Sequence, residues 1–201
     1  RGKWAEEGRQ MGAINEILGY LAQTFFSIYL FAMLLRFLLQ LVRADFYNPI
    51  CQFLVKITNP IVLPARRLIP SVVSLDLASL VLAVLLQMAA IAVILLINGI
   101  PFPNPLIGLA WAALGVVGLL VNIYFFALLA MIILSWVAPG SNNPAVYLLH
   151  QITEPVMAPL RKVLPAMGGL DFSPILVFIL INITFFPRML QDSQILENAP
   201  R

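Results

Sequence analysis

Residues capable of acid–base or metal chemistry are few in this chain. A single histidine, His150, and a single cysteine, Cys51, exclude an internal disulfide and any site built from several cysteines. Glu154 follows His150 by four residues, so the two side chains could meet on one helix face. Catalytic and metal sites usually need a further converging group. We therefore predict no catalytic residue, no metal site and no cofactor, and we expect His150 to be a surface or interface histidine.

Most other polar residues lie in a stretch that occurs twice. Residues 48–76 align with residues 143–171 at a constant offset of 95 positions, without a gap, and 11 of 29 residues are identical. We assign a structural role in this repeated motif to Thr58, Pro60, Pro64, Pro70 and Asp76 in the first copy, and to Thr153, Pro155, Pro159, Pro165 and Asp171 in the second. The chain is therefore an internal duplication.

Each copy also carries two adjacent basic residues, Arg66-Arg67 in the first and Arg161-Lys162 in the second. Lys56 precedes the pair in the first copy. A basic side chain at a membrane surface attracts anionic lipid by on the order of 1 kcal/mol. We therefore predict that Lys56, Arg66, Arg67, Arg161 and Lys162 bind lipid or a partner.

Composition places the chain in a membrane. It is 61% hydrophobic and 10% charged, whereas soluble domains average about 45–50% and about 25%. Apolar runs at 17–35, 77–97 and 106–137 reach the roughly 18 residues that indicate a membrane span, and 172–186 reaches a usable length with its flanking residues. The net charge of +3 comes from scattered lysine and arginine, which indicates anionic lipid as a partner and argues against direct binding of nucleic acid.

Helices must position the motif at the membrane surface. Asn48, Gln52 and Lys56 recur every fourth residue, a pattern typical of an amphipathic helix in the interface. Residues 58–60, Thr-Asn-Pro, are predicted to end that helix and begin a second short one, which Pro70 stops. We predict an all-α membrane protein with about four transmembrane helices in two parallel repeats, each with an interfacial amphipathic helical hairpin between its spans.

Three features of the sequence have two interpretations each. Arg36, inside the first predicted span at about 17–41, either extends to the headgroups or forms an inward-facing ion pair. Asp76 and Asp171 each either cap the following span or contribute to a cation site. Residues 106–111 exceed what the repeat requires, and form either a short interfacial or re-entrant segment or an extension of a tilted helix.

The repeat also defines the predicted domain boundaries and the topology. We assign 1–10 to an extension or disordered segment, 11–100 to the first repeat, 101–111 to a connecting loop and short segment, 112–190 to the second repeat, and 191–201 to a polar tail. An even number of crossings separates the two motifs, so both face one side of the membrane. Basic residues concentrate on that side, and the positive-inside rule predicts that it is cytoplasmic.

Four sequence features together resemble the YggT family. They are Arg36, the FYNP sequence at 46–49, the repeated Thr-x-Pro-x-x-x-Pro-x-Arg motif, and AMGGLDFSP at 166–174. The resemblance covers residues 11–189 and implies a multi-pass protein of the bacterial inner (plasma) membrane, related to YlmG-type proteins of cyanobacteria and chloroplasts. Roles associated with the family are haem attachment to a b-type cytochrome, nucleoid or division organisation, and osmotic-stress tolerance with potassium uptake. The family has no established set of enzymatic residues.

Two functional hypotheses follow. The first is a non-enzymatic organising or assembly protein that binds anionic lipid and membrane protein partners through two cytoplasmic motifs, and that can self-associate. The alternative is a transport accessory or channel linked to potassium uptake or osmotic stress, in which Asp76 and Asp171 contact the ion.

Overall fold

The described part of the chain is entirely helical. The structure, a computed structural model, describes residues 2–69, 76–137, 143–163 and 179. Within these ranges lie α1 (Gly2–Leu41), α2 (Pro49–Leu68), α3 (Leu77–Ile97), α4 (Pro105–Val137) and α5 (Pro144–Val163). Three segments are long and apolar enough to cross a membrane, namely Gly12–Leu41, Leu77–Ile97 and Pro105–Leu134. The prediction of an α-helical membrane protein is thus confirmed, while the predicted span at 172–186 lies outside the described residues, apart from residue 179.

The ends of the helices follow from local sequence. Asn48 caps α2, since its side-chain oxygen accepts a hydrogen bond of 2.9 Å from the backbone N–H of Ile50, and Pro49 takes the first helical position. At the end of α3, Gly99 adopts a φ of 68°, which lets the N–H of Ile100 bond back to the carbonyl of Leu95 at 2.9 Å. This is the Schellman ending that glycine favours.

The motif helix of the first repeat differs from the prediction. Residues 49–68 form one continuous helix of 20 residues with Pro60 and Pro64 inside it, so the predicted hairpin of two short helices is wrong for this copy. The two prolines are four residues apart and both exposed, so the carbonyls that lose their helical donors face outward. The hydroxyl of Thr58 donates to the carbonyl of Leu54 within the helix instead of capping a new one.

The duplication is visible in helix boundaries. Each bound of α5 lies 95 residues after the corresponding bound of α2, and α5 likewise contains two prolines, Pro155 and Pro159. The side chain of Asn143 accepts a hydrogen bond of 2.9 Å from the N–H of Ala145, repeating the cap made by Asn48. The same sequence signals therefore produce the same helix twice.

Two segments that were assigned outside the repeats contain helix. Residues 2–10, assigned to an extension or disordered segment, form the beginning of α1, and residues 105–111 of the segment 101–111 form the beginning of α4. Between the two interpretations of 106–111, the structure therefore has a helix extension. The physical reason is that an uninterrupted apolar sequence after Pro105 offers no residue that would end a helix.

The chain divides into two compact units, residues 1–120 and 121–201. In the first unit α1, α2 and α3 pack on one another. The helix α2 contributes one buried stripe, and α3 contributes small buried residues that permit close helix packing; these are Cys51, Leu54, Thr58 and Val62 on α2 and Ala78, Ala83 and Ala90 on α3. In the second unit the buried core contains Leu128 and Met131 of α4 and Met157 of α5.

Candidate functional site

Polar side chains converge where α1, α2 and α3 meet in the first unit. They come from the last turns of α1, from the middle and end of α2, and from the first turn of α3. We call them the polar cluster, which consists of Arg36, Gln40, Thr58, Asn59, Arg66, Asp76 and Ser79. The members of the cluster on α1 and α3 lie near the ends of two candidate spans rather than at their centres.

Asp76 is the N-cap of α3, one of its two predicted roles. Its Oδ1 accepts hydrogen bonds of 3.3 Å from the N–H of Ser79 and from Nε of Arg66. Its Oδ2 accepts from the hydroxyl of Ser79 at 2.6 Å and from Nη2 of Arg66 at 2.5 Å. A carboxylate has about four acceptor positions, so these four bonds fill the capacity of Asp76.

The charge state of Asp76 follows from the same contacts. Complete burial of its side chain raises the pKa of the carboxyl. The hydrogen bonds from Arg66 and Ser79, with the positive charge of Arg66, outweigh that effect and hold the pKa below its usual range. Asp76 is therefore ionised at neutral pH, and its negative charge is neutralised within the fold.

Arg66 links three helices. Besides Asp76 at the start of α3, its Nη2 donates to Oε1 of Gln40 on α1 at 2.6 Å. The Arg66 side chain is 32% exposed while that of Asp76 is 0% exposed. Arg66 was predicted to bind lipid or a partner, and the structure gives it these internal contacts as well.

Arg36 is buried, with only 5% of its surface exposed, so the prediction that it extends to the headgroups is wrong. Its Nη1 donates to the hydroxyl of Thr58 at 2.6 Å and to Oδ1 of Asn59 at 2.9 Å. The alternative prediction was an inward-facing ion pair. The side chain does face inward, but it forms no ion pair there, because both acceptors are neutral. Within the described residues the ion pair is between Arg66 and Asp76.

The second repeat lacks this arginine. Position 131, the equivalent of Arg36, is a methionine in the apolar core beside Met157. Thr153, the equivalent of Thr58, is also fully buried and donates its hydroxyl to the carbonyl of Leu149 at 2.8 Å. The threonine contact is thus common to both copies, whereas the buried cation belongs to the first.

The other predicted site residues are distributed over both motif helices. Lys56, Arg67 and Lys162 are exposed, as is His150. Arg161 lies in α5, while Pro70, Pro165 and Asp171 lie outside the described residues. Ile69, which precedes Pro70, is extended, the conformation that proline favours in the residue before it. In the described ranges no group of three or more His, Cys, Asp or Glu side chains could hold a metal.

The pairing of Arg66 with Asp76 and the roles of Gln40, Asn59 and Ser79 were not predicted from the sequence. A signal for the pairing was present, since arginine and aspartate of opposite charge are identical in both copies at the same separation. No comparable signal identifies Asn59 as the partner of Arg36, because the second copy has Glu154 and Met131 at these positions.

These observations define a class: a helical membrane protein built on a duplicated unit of span and proline-containing motif helix. A model of the CCB3/YggT family matches residues 15–97 and 110–186. The chain belongs to this family. The two matched segments begin 95 residues apart, the offset of the internal repeat.

Several curated proteins are similar to the chain. An uncharacterized protein of Pseudomonas aeruginosa is 48% identical over 174 residues, which cover 86% of this chain and 88% of that protein. The uncharacterized protein YggT of Escherichia coli K12 is 41% identical over 168 residues, 83% of this chain and 86% of that protein. The chloroplast protein CCB3 of Arabidopsis thaliana, named for cofactor assembly of complex C, is 32% identical over 77 residues, 37% of this chain and 44% of that protein. No solved structure matches the chain.

Proposed function

We propose that this protein is a non-enzymatic organising or assembly protein of the bacterial inner membrane. Its two proline- and arginine-containing motif helices, α2 and α5, face the cytoplasm and bind anionic lipid and partner proteins. The observation that carries the proposal is the exposed side of α2, where Lys56 and Arg67 lie with Phe53, whose surface is 62% exposed. Basic and aromatic side chains together are typical of a helix surface in the headgroup region.

The packing of α2 supports this interpretation. One narrow stripe of the helix is buried against α1 and α3, which are both candidate spans, and its opposite side is free of this chain's first unit. Arg66 is engaged with Asp76, so Lys56 and Arg67 are the basic residues of α2 that remain available for lipid. In α5, the exposed Lys162 has the same role.

An assembly role is supported by a relative. The Arabidopsis protein similar to part of this chain carries cofactor assembly in its name. The alternative, potassium uptake or an osmotic-stress-linked channel, requires carboxylate oxygens that are free to contact an ion. Asp76 has none free, because its four acceptor positions are filled. We therefore favour the organising role.

The double charge reversal Lys56→Glu with Arg67→Glu tests this function. Each basic residue contributes on the order of 1 kcal/mol toward anionic lipid, and reversal replaces attraction with repulsion. We expect the enrichment of phosphatidylglycerol over phosphatidylethanolamine to fall about tenfold or more in native nanodiscs extracted around the protein. Partner proteins recovered by crosslinking in membranes should be lost in parallel.

The matched control preserves charge at both positions through Lys56→Arg with Arg67→Lys. This variant should retain the lipid enrichment and the crosslinked partners of the natural sequence, because long-range attraction depends on charge rather than on the shape of the group. Equal lipid enrichment and equal partner recovery in the reversed and the charge-preserving variants would refute the proposed function.

A further inference from the structure

The polar cluster lacks one negative charge. It contains the guanidinium groups of Arg36 and Arg66, but Asp76 is the only carboxylate that hydrogen-bonds them among the described residues. Arg66 is neutralised by Asp76, which leaves Arg36 as a buried cation with 5% of its surface exposed and with neutral partners. Buried charges in proteins are normally paired, because removal from water without a counter-charge is costly.

The hydrogen bonds of the cluster show the same imbalance. The side-chain oxygens of Gln40, Asn59 and Asp76 all accept hydrogen bonds from arginine. Two hydrogen-bond donors have no acceptor among the described residues. Nε of Arg36 is buried without a partner, and no described group accepts a hydrogen bond from the side-chain amide nitrogen of Asn59. A site whose acceptors are filled and whose donors are not is complementary to an anionic oxygen.

The second repeat serves as an internal comparison. Its Met131 and Glu154 replace Arg36 and Asn59, while Thr153 keeps the same backbone hydrogen bond as Thr58. The motif helix therefore forms without a cation at this position. Arg36 is consequently not required to build the helix, and its burial in the first repeat calls for a different explanation.

We propose that Arg36 and Asn59 form a binding site for a phosphate group, held by the guanidinium of Arg36 and the amide N–H₂ of Asn59. Arginine matches the geometry of phosphate oxygens through its several N–H donors. The phosphate comes either from the headgroup of an anionic phospholipid or from free inorganic phosphate. The site exists in the first repeat alone of the two motif helices described.

The position of the site fits a headgroup. Arg36 precedes the last residue of α1 by five positions, about 7.5 Å along the helix axis, so it lies near the boundary between hydrocarbon and headgroups. Asn59 is partly exposed, so a phosphate group can approach Arg36 past its side chain. Rotation of the Asn59 amide would replace the carbonyl oxygen with the N–H₂ donors, which can then bind the phosphate. The exposed Arg67 on the same helix adds positive charge nearby.

This inference deepens the proposed function, because it assigns one defined lipid-binding position beneath the charged surface of α2. An experiment can refute the proposed function and this inference independently of each other. Surface enrichment of lipid depends on Lys56 and Arg67, whereas tight retention of one phosphate group depends on Arg36 and Asn59.

The test uses the whole chain, its Arg36→Met variant, which copies the second repeat, and Arg43→Asn as a control. Arg43 is an exposed arginine with a positive φ, which asparagine tolerates, and it has no assigned role in lipid binding. Each protein is reconstituted in nanodiscs of phosphatidylcholine, with or without phosphatidylglycerol. The lipid that the detergent-released protein retains is then counted by native mass spectrometry. We expect the natural protein and Arg43→Asn to retain phosphatidylglycerol. Arg36→Met should bind it about tenfold or more weakly, the effect of losing a charge-assisted hydrogen bond.

A second measurement, the thermal midpoint of unfolding, distinguishes a loss of binding from a folding defect. The thermal midpoint of the natural protein should rise with phosphatidylglycerol, and that rise should be absent in both Arg36→Met and the milder variant Asn59→Ala. In phosphatidylcholine alone, the thermal midpoint is compared in inorganic phosphate and in chloride at equal ionic strength. A higher midpoint in phosphate identifies free phosphate as the ligand. The proposal is overturned if neither phosphatidylglycerol nor phosphate raises the thermal midpoint. It is also overturned if Arg36→Met and Asn59→Ala respond like the natural protein. Either outcome would instead assign Arg36 to a carboxylate of a partner protein.

Discussion

Replacing Arg66 with methionine should destabilise the protein by about 3 kcal/mol, the lower end of the range for breaking a buried ion pair. The substitution leaves the carboxylate of Asp76, with a side chain that is 0% exposed, without its cation. It also removes the hydrogen bond to Gln40 that ties α2 to α1. Arg66 itself is 32% exposed, and water that can replace it keeps the effect from being larger. Unfolding in mixed micelles, followed by helix content, measures the change.

The neighbouring Arg67 provides the control for this experiment. It is an exposed arginine on the same helix, so Arg67→Met removes the same charge and the same side chain without breaking a described ion pair. We expect a change within about 0.5 kcal/mol for this variant. Similar losses in the two variants would mean that the pair between Arg66 and Asp76 does not stabilise the fold.

The same ion pair gives stability a defined dependence on pH. The pKa of Asp76 is lower in the folded protein than in the unfolded chain, so its contribution is complete above the unfolded value of about 3.9 and is lost as pH falls through the folded value. The stability advantage of the natural protein over Asp76→Asn should therefore shrink below about pH 4, because only the natural protein loses this contribution. Parallel curves for the two proteins over this range would contradict the assigned pKa shift.

Thr58→Val should also be costly, by about 1–3 kcal/mol, although valine has nearly the same shape. The hydroxyl of Thr58 accepts a 2.6 Å hydrogen bond from Arg36, and its loss leaves a buried guanidinium with Asn59 as its one remaining acceptor among the described residues. Thr58 is fully buried, so water cannot easily replace the lost oxygen. Chemical unfolding of the purified protein measures the difference.

The second repeat contains the matched control, Thr153→Val. Thr153 is as deeply buried as Thr58, but its hydroxyl bonds to backbone carbonyls alone in the described structure. We expect a change of less than about 1 kcal/mol, because those carbonyls belong to a helix that already supplies donors. If Thr153→Val cost as much as Thr58→Val, the arginine contact would not explain the effect.

Local sequence signals predicted the parts of this fold that depend on local chemistry. The apolar runs identified the three described spans, and the position of Asp76 before an apolar run indicated the cap that α3 has. The duplication made α5 predictable from α2. These features follow from hydrophobicity and from hydrogen bonds between residues close in sequence.

The rest depends on contacts between helices, which sequence spacing does not encode. Proline at position 60 favours a helix start in isolation, yet packing of α2 along α1 and α3 maintains a single helix through it. Arg36 and Thr58 are 22 residues apart, and only the packing of α1 against α2 brings them together. A long side chain near the end of a span has two energetically acceptable directions, and the neutral acceptors on α2 decide between them.

The replacement of Arg36 by Met131 between the two copies has a consequence for symmetry. A duplicated membrane protein with identical halves would present the same surface to a partner in two equivalent orientations. The buried cation in one half removes that equivalence, because an anionic group can distinguish the first copy from the second. A partner that recognises the buried cation would therefore bind the first repeat and not the second.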